Sequence, residues 1–393
     1  MSLGIEYKPF NKLVKKIIDN RGKTCPVVRS GFPLIATNCI LNRNLYPIFE
    51  NIRFVSQETY ETWFRGHPEP GDMIFVLKGT PGRVNWVPDQ VNFCIAQDMV
   101  AIRANEQEVY PKYLFAALRS SIIQQEIENL HVGTLIPHFK KSDFDKLFIP
   151  CPSYKMQTYI GDTYFYFSQK IDLLQRQNAT LEAMAETLFR QWFIEEEEKN
   201  ADYLTISDVA KINKKSINSE SLFKSIEYLD TGSIISGTIT NLQSMTISDA
   251  PSRARRLVEH NDIIYSLVRP NQLHYGILKY PPQNMVVSTG FCVITCDKID
   301  PHFIYLFLTS KDMTEYLHSV AEGSTSAYPS LLPSDIAKLE FRKPSVKKLT
   351  FFSKYAKEIW GKIYANQQQI RTLEKLRDTL LPKLMSGEVR VDG

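Results

Sequence analysis

Arginines, asparagines and glutamines gather at a few points of this chain, in patterns suited to meeting flat, hydrogen-bonding partners. The cluster Ser252-Arg253-Ala254-Arg255-Arg256 precedes a strand-like run, 262–268, that ends in Arg269-Pro270-Asn271-Gln272 and leads into His274. Arg bonds guanine edges bidentately and Asn or Gln bond adenine edges, whereas Lys and Arg on phosphates set orientation without reading sequence. Gly323-Ser324-Thr325-Ser326-Ala327-Tyr328 is a small polar loop able to approach a backbone closely. Earlier in the chain stand Arg21-Gly22-Lys23-Thr24, Asn38, Asn42-Arg43-Asn44, Lys78-Gly79-Thr80-Pro81-Gly82-Arg83 and His138-Phe139-Lys140-Lys141. The candidate contact residues are therefore Arg253, Arg255, Arg256, Arg269, Asn271, Gln272, His274, Ser324 and Tyr328 in the second half. In the first half they are Asn38, Arg43, Lys78, Arg83, His138, Lys140 and Lys141. Any one cluster also fits a solvated surface; recurrence at matching places in two halves is what gives them weight.

Residue patterns for bond-making chemistry do not occur. Gly22-Lys23-Thr24 lacks the upstream glycine of a phosphate loop, because Ile17 stands there. No G-x-G-x-x-G follows a strand, and neither H-E-x-x-H nor paired C-x-x-C is found. The Asn/Asp-Pro-Pro-aromatic tetrapeptide of amino-methyltransferases is absent, and the seven His are scattered. The weight shifts from catalysis to binding, with no metal and no cofactor expected in the chain itself.

The bulk numbers bound the rest. A chain of 393 residues is too long for one ordinary core, so two or three domains are expected. The content of 43% hydrophobic and 23% charged residues is that of a globular protein. A formal charge of +4 is too small to argue for nucleic acid by itself, so basic residues must be concentrated on one face. The acidic run Glu195-Glu196-Glu197-Glu198 can lower the average elsewhere. Six cysteines form no paired motif, and Cys292 and Cys296 in the apolar run 290–296 are expected as buried free thiols. With no signal peptide and no apolar run of membrane-spanning length, a reducing cytoplasm is the expected compartment.

The chain repeats itself. Ser142-Asp143-Phe144-Asp145-Lys146-Leu147 recurs 192 residues later as Ser334-Asp335-Ile336-Ala337-Lys338-Leu339. At the same offset Lys170-Ile171 matches Lys362-Ile363, and Thr180-Leu181-Glu182 matches Thr372-Leu373-Glu374. Upstream the offset is 190: Gly71-Asp72-Met73-Ile74-Phe75 aligns with Asn261-Asp262-Ile263-Ile264-Tyr265, and Pro111-Lys112-Tyr113 with Pro301-His302-Phe303. Gly133-Thr134 aligns with Gly323-Ser324. Each half reads as an α/β module followed by a long helix, a duplicated domain and not a solenoid. The boundaries expected are 1–154 and 199–346 for the modules, and 155–198 and 347–393 for the helices.

Between 155 and 193 only Gly161 interrupts the helix formers. Ile171, Leu174, Leu181 and Leu188 follow a heptad seam with Asn178 at one core position, and Ile363, Ile370, Leu373 and Leu380 repeat it, interrupted by Asn366 and Arg377. Pro382 is expected to stop the second helix near Leu381. Two such helices pair most economically with each other, antiparallel under a pseudo-two-fold. A helix of about 35 residues spans roughly 50 Å, enough to separate two modules by more than the groove repeat of DNA, about 34 Å.

With these features in place, the chain resembles the specificity subunits of type I restriction-modification enzymes over essentially its full length. The resemblance is carried by Asn261-Asp262-Ile263-Ile264-Tyr265-Ser266-Leu267-Val268-Arg269-Pro270 and its counterpart Gly71-Asp72-Met73-Ile74-Phe75, by Ser142-Asp143-Phe144 and Ser334-Asp335-Ile336, and by the repeated helices. The first copy departs from the second after Phe75, where Val76-Leu77-Lys78-Gly79 stands against Ser266-Leu267-Val268-Arg269. The resemblance implies an α+β chain of two similar α/β target-recognition domains separated by two long antiparallel coiled-coil helices. It implies that each domain reads one half of a bipartite site on double-stranded DNA and that the helices act as a ruler. It further implies that two methylation subunits carrying S-adenosylmethionine dock on the helices, that restriction subunits join them, and that this subunit is not itself catalytic. A two-headed protein-interaction scaffold that reads no DNA is the alternative left by the residues alone.

Overall fold

The computed structural model describes residues 5–20, 23–130, 136–195, 202–217, 223–324, 328–385 and 388. Arg21-Gly22, Gly133-Thr134, Glu196-Glu197-Glu198 and Thr325-Ser326-Ala327 lie outside the described residues. The chain divides into two compact units, residues 1–177 with 366–393, and residues 178–365.

In the first unit, strands Val14–Asp19, Met99–Ala104, Met73–Val76 and Val84–Trp86 form an antiparallel sheet in that order. Met73-Ile74-Phe75-Val76 is apolar throughout because both faces of this strand are covered. Met73 and Phe75 face a core with Phe115, Phe139, Phe144, Ile160 and Leu381. Ile74 and Val76, on the opposite pleat, enter a second core with Ile35, Phe93 and Ala101. That second core is capped by a sheet of order Arg53–Val55, Phe32–Ile35, Cys94–Ile95, whose last two strands run parallel.

The second unit repeats the plan. Ala210–Ile212, Phe291–Cys296, Ile263–Ser266 and Tyr275–Ile277 form the matching antiparallel sheet. Ile263 and Tyr265 again face one core and Ile264 the other. The capping sheet again has a central parallel pair, Ser225–Leu229 with Met285–Ser288, between Gln243–Thr246 and a strand the first unit lacks there, Ala254–Leu257.

The repeated Asn/Gly-Asp motif has a local cause. Gly71 and Asn261 both have left-handed φ, +85° and +70°, a conformation that Gly and Asn tolerate best. The following carboxylate closes the turn by accepting a backbone N–H: Asp72 from Glu69 at 2.8 Å, Asp262 from Glu259 at 2.7 Å. Its second oxygen ties the turn to the neighbouring strand, through Arg103 in one copy and Thr295 in the other.

Two long helices run from Tyr154–Phe189 and Val346–Met385, 36 and 40 residues. Both contribute to each unit, since the division falls within them. In the first unit Tyr164 lies under the Arg377 guanidinium at 5.6 Å and the Asn366 amide donates to Gln177 at 2.9 Å. One number rises as the other falls, so the helices run antiparallel there. In the second unit Ala185 and Phe189 share a core with Phe352, Ala356, Ile359 and Ile363. Of the expected seam positions Ile171, Leu174 and Ile363 are buried, and Leu181, Leu188, Ile370, Leu373 and Leu380 are half-buried.

Two expectations need correction. Pro382 does not end the second helix, which continues to Met385. A proline in the last turn forfeits little of the hydrogen-bond ladder, and Leu381, Leu384 and Met385 are held in the first core. Cys292 is buried as expected, but Cys296 is only half-buried. Gly161 also finds its reason: a Cβ there would come within 2.5 Å of the Tyr113 amide nitrogen, so glycine permits the close approach of helix Pro111–Arg119.

Candidate nucleic-acid interface

Each unit presents the same backbone device at one end of its central strand. In the second unit, Ile263–Ser266 continues into Leu267, whose carbonyl accepts from Leu331 N–H at 2.7 Å, and Arg269 N–H donates to Pro329 O at 3.0 Å. In the first unit, Leu77 accepts from Phe139 at 2.8 Å and Gly79 donates to Pro137 O at 2.9 Å. The bridges Val268 to Ser330 and Lys78 to His138 complete the match. Two segments some sixty residues apart in sequence are thereby clamped together beside the strand end. The residue after the bridge is left-handed in both, Arg269 at φ +48° and Gly79 at φ +86°.

The side chains on this device differ between the units. Arg269 is exposed, and its guanidinium lies 4.9 Å from the centre of the exposed Tyr328 ring. Stacking on a ring fixes the guanidinium plane and leaves its edge donors available in that plane. Asn271 and Gln272 follow on the turn Pro270–Gln272 and are exposed. His274 is fixed by Ile234 O at 2.6 Å from Nδ1, with the Gln272 side-chain oxygen 3.2 Å from Nε2. Ser324, half-buried, lies in the clamped segment 3.4 Å from Ser330 Oγ. The device thus gathers Arg269, Asn271, Gln272, His274, Ser324 and Tyr328 at one end of the unit. In the first unit it gathers Lys78, Arg83 and His138, all half-buried, with Lys140 exposed beyond them. Arg83 belongs because Val76 N–H donates to its carbonyl at 2.9 Å.

The remaining candidates are placed differently. Arg253 is tied to the device through its carbonyl, which accepts from Thr289, while Gly290 accepts from Leu267. Its guanidinium Nε donates to Tyr228 Oη at 3.1 Å. Arg255 turns back on Ser252 O at 3.0 Å. Arg256 points to the other side of the same strand, half-buried, with an Nε that has no hydrogen-bond partner among the described residues. Burial pulls it below its ordinary value. Asn38 donates its amide to Glu50 O at 2.9 Å in the capping layer. Arg43 borders a separate cavity with Arg119 and Arg377. Lys141 pairs with Asp19.

Sequence reading overlooked the buried charges. Arg119 and Arg377 are nearly inaccessible in the first unit, and Glu182 is half-buried in the second. The signal was available in the repeat itself, where Ala185 stands at the counterpart of Arg377. Among the described residues no three His, Cys, Asp or Glu side chains are grouped to hold a metal, and no helix is long and apolar enough to cross a membrane.

Comparison with known proteins agrees with this geometry. The family model for the type I restriction modification DNA specificity domain matches the chain twice, at residues 15–183 and 198–378. The chain therefore belongs to that family, the non-catalytic DNA-specificity component of type I restriction-modification systems. It is similar to the type I restriction enzyme MjaIX specificity subunit of Methanocaldococcus jannaschii, 26% identical over 312 residues, covering 72% of this chain and 70% of that one. The HindI specificity subunit of Haemophilus influenzae is 26% identical over 160 residues, covering 40% of this chain and 35% of that one. In fold it resembles the crystal structure of a type I restriction-modification S subunit from M. genitalium, with TM-score 0.57, 16% identity and coverage of 98% and 96%.

Proposed function

We propose that this specificity subunit reads a bipartite site on double-stranded DNA, one half-site by each clamped strand-end device. The observation that carries the reading is a constant backbone bearing different side chains: Arg269, Asn271 and Gln272 in one copy, Lys78, Arg83 and His138 in the other. Exposed Arg, Asn and Gln on a rigid turn are suited to base edges, each good bidentate pair being worth about 1–3 kcal/mol of discrimination. Arg253, Arg255, Lys140 and Lys141 are assigned to phosphates, and Asn38, Arg43 and Arg256 to the margins of the contact.

In this reading residues 1–154 and 199–346 are the recognition domains, and 155–198 and 347–393 are the spacer. Two methylation subunits carrying S-adenosylmethionine dock on the helices, and restriction subunits join the assembly in the cytoplasm. Two linked readers gain from effective concentration only when the site's spacing suits their separation.

The test is selection from a random DNA pool by the full chain together with its methylation subunits. Enrichment of two short motifs at a fixed gap is expected. Failure to enrich any sequence would remove DNA reading and leave the two-headed scaffold. Arg269→Ala should degrade one motif and spare the other, and equal insertions in both long helices should change the gap and leave both motifs intact.

A further inference from the structure

The junction between the long helix and the module is built differently in the two units, and in the second it leaves a cavity. In the first unit Lys112 is paired with Asp162 at 2.8 Å, Tyr110 donates to the same oxygen at 2.9 Å, and Phe165 fills the space beside them, 5.0 Å from the Lys112 ammonium. Gly161 brings the backbones together at this point. At the offsets of the repeat, the second unit has Ser353 for Gly161, Lys354 for Asp162, Lys357 for Phe165 and His302 for Lys112. A carboxylate and a filling ring have become two lysines.

The result is a cavity of about 600 Å³ lined by His260, Lys279, His302, Lys354 and Lys357 among others, with Asp300 as its sole carboxylate. Asp300 is already engaged, 2.8 Å from His302 Nδ1. His302 Nε2 then accepts from the Lys279 ammonium at 2.7 Å, and Lys279 also donates to Asn261 Oδ1. Two of the three Lys279 donors are used, which leaves one for the cavity. Burial pulls the Lys279 ammonium down to about 8, outweighing the opposing attraction of Asp300. Lys354 and Lys357 are exposed on the helix and make no ion pair among the described residues. His260 accepts from Tyr280 N–H at Nδ1, 3.1 Å, so its neutral ring keeps a donor at Nε2.

We propose that this cavity binds a phosphate group carried by a small molecule, with Lys279 as its half-buried donor and Lys354 and Lys357 closing over it from the helix. Compact ammonium charges from two elements suit a tetrahedral dianion, and the volume, within the range of small-molecule sites, exceeds what a bare phosphate fills. The site is not part of the DNA-reading device. Asn261 and Asp262 precede strand Ile263–Ser266 and Arg269 follows it, so the two lie at opposite ends, roughly 13 Å apart along four residues.

The experiment is calorimetric titration of the full chain with inorganic phosphate and, separately, with ADP. Saturable binding of at least one is expected. Tighter binding of ADP than of inorganic phosphate is the expected result, and inorganic phosphate binding as tightly as ADP or more so would overturn the claim that the group is carried by a larger molecule. Lys354→Ala/Lys357→Ala, a surface change that leaves the core intact, should weaken binding roughly tenfold or more, the effect of losing charge-assisted hydrogen bonds. Lys279→Met should weaken it at least as much. Absence of binding by both probes, unchanged affinity in the double variant, or displacement of the probe by a DNA duplex would each overturn the proposal.

Discussion

The two units share a sheet order, a turn motif and a clamped strand end, yet among the described residues only the first sets buried arginines beside the helix carboxylates where the long helices meet the modules. In the first unit Arg377 forks onto Asp378, at 2.8 and 3.3 Å. Arg119 is buried beside it with all three guanidinium nitrogens lacking hydrogen-bond partners among the described residues. Its guanidinium lies over the Phe115 and Tyr164 rings, 4.9 and 5.8 Å away, and burial pulls it below its ordinary value against the attraction of Asp378. At the corresponding place the second unit keeps the carboxylates, Glu182 and Glu186 for Glu374 and Asp378, but has Ala185 where the first has Arg377. Burial, and then the like charge of Glu186, pushes the Glu182 carboxyl up to about 7. The helix carboxylates of the duplicated scaffold were kept, while the buried arginines beside them were free to diverge because each is local to its own unit.

The largest test of this contrast is Arg119→Met. Replacing a buried, poorly solvated charge with an apolar side chain of similar length should stabilise the first unit by about 1–4 kcal/mol. Denaturant unfolding of the full chain reports it as a later transition. A loss of stability would mean that the ring contacts outweigh desolvation and that the arginine is a structural asset.

Next in size is Glu182→Gln. Its carboxyl in the folded unit titrates at about 7, above the ordinary 4.5. The protonated form is therefore favoured by folding: its contribution is complete below pH about 4.5 and is lost as pH rises through about 7. Glutamine cannot lose that proton, so the variant should be more stable than the parent at pH 8 by about 2–3 kcal/mol, with little difference near pH 4. Glu374→Gln, at the repeat-equivalent position beside Arg377, should change the pH profile less, because that guanidinium opposes the burial effect. Equal pH profiles for the two variants would erase the distinction between the units.

A smaller effect is expected at Asn366, buried and donating to Gln177. Asn366→Ala should cost about 1 kcal/mol or more, since the neutral hydrogen bond to Gln177 is among those lost. Asn178→Ala, at a half-buried position, should cost less. Thermal melts of the two variants compare them directly, and the reverse ranking would shift the polar seam position to the second unit.

Much of this architecture was legible in the residues. Gly71-Asp72 and Asn261-Asp262 announced matching strands because a left-handed residue and a turn-closing carboxylate are local requirements. The helices were legible from their heptads. What was not legible depends on distant partners. Pro382 reads locally as a stop, but Leu384 and Met385 are buried in a core assembled mostly from residues more than two hundred positions earlier. Arg43 and Arg83 look alike in sequence, and only tertiary contacts set one beside a buried arginine and the other beside the strand-end device. Lys354 and Lys357 read as solvated helix residues until they are set against Asp162 and Phe165.

The smallest effect separates backbone from side chain at the strand-end device proposed to read DNA. Gly79 and Arg269 occupy the same left-handed position, where a residue bearing a Cβ is strained by roughly 1 kcal/mol. Around Gly79 an added Cβ would meet nothing within 4 Å, so Gly79→Ala should cost about that strain and no more. Arg269→Gly should return a similar amount, less the greater freedom of glycine in the unfolded chain, for a net gain below about 1 kcal/mol. The same change removes the guanidinium that stacks on Tyr328, so selectivity for one half-site should fall while stability holds or rises. Gain of stability with loss of reading would mark Arg269 as a residue kept in strain for its side chain. If both fall together, the arginine supports the fold, and the first unit's glycine would need another explanation.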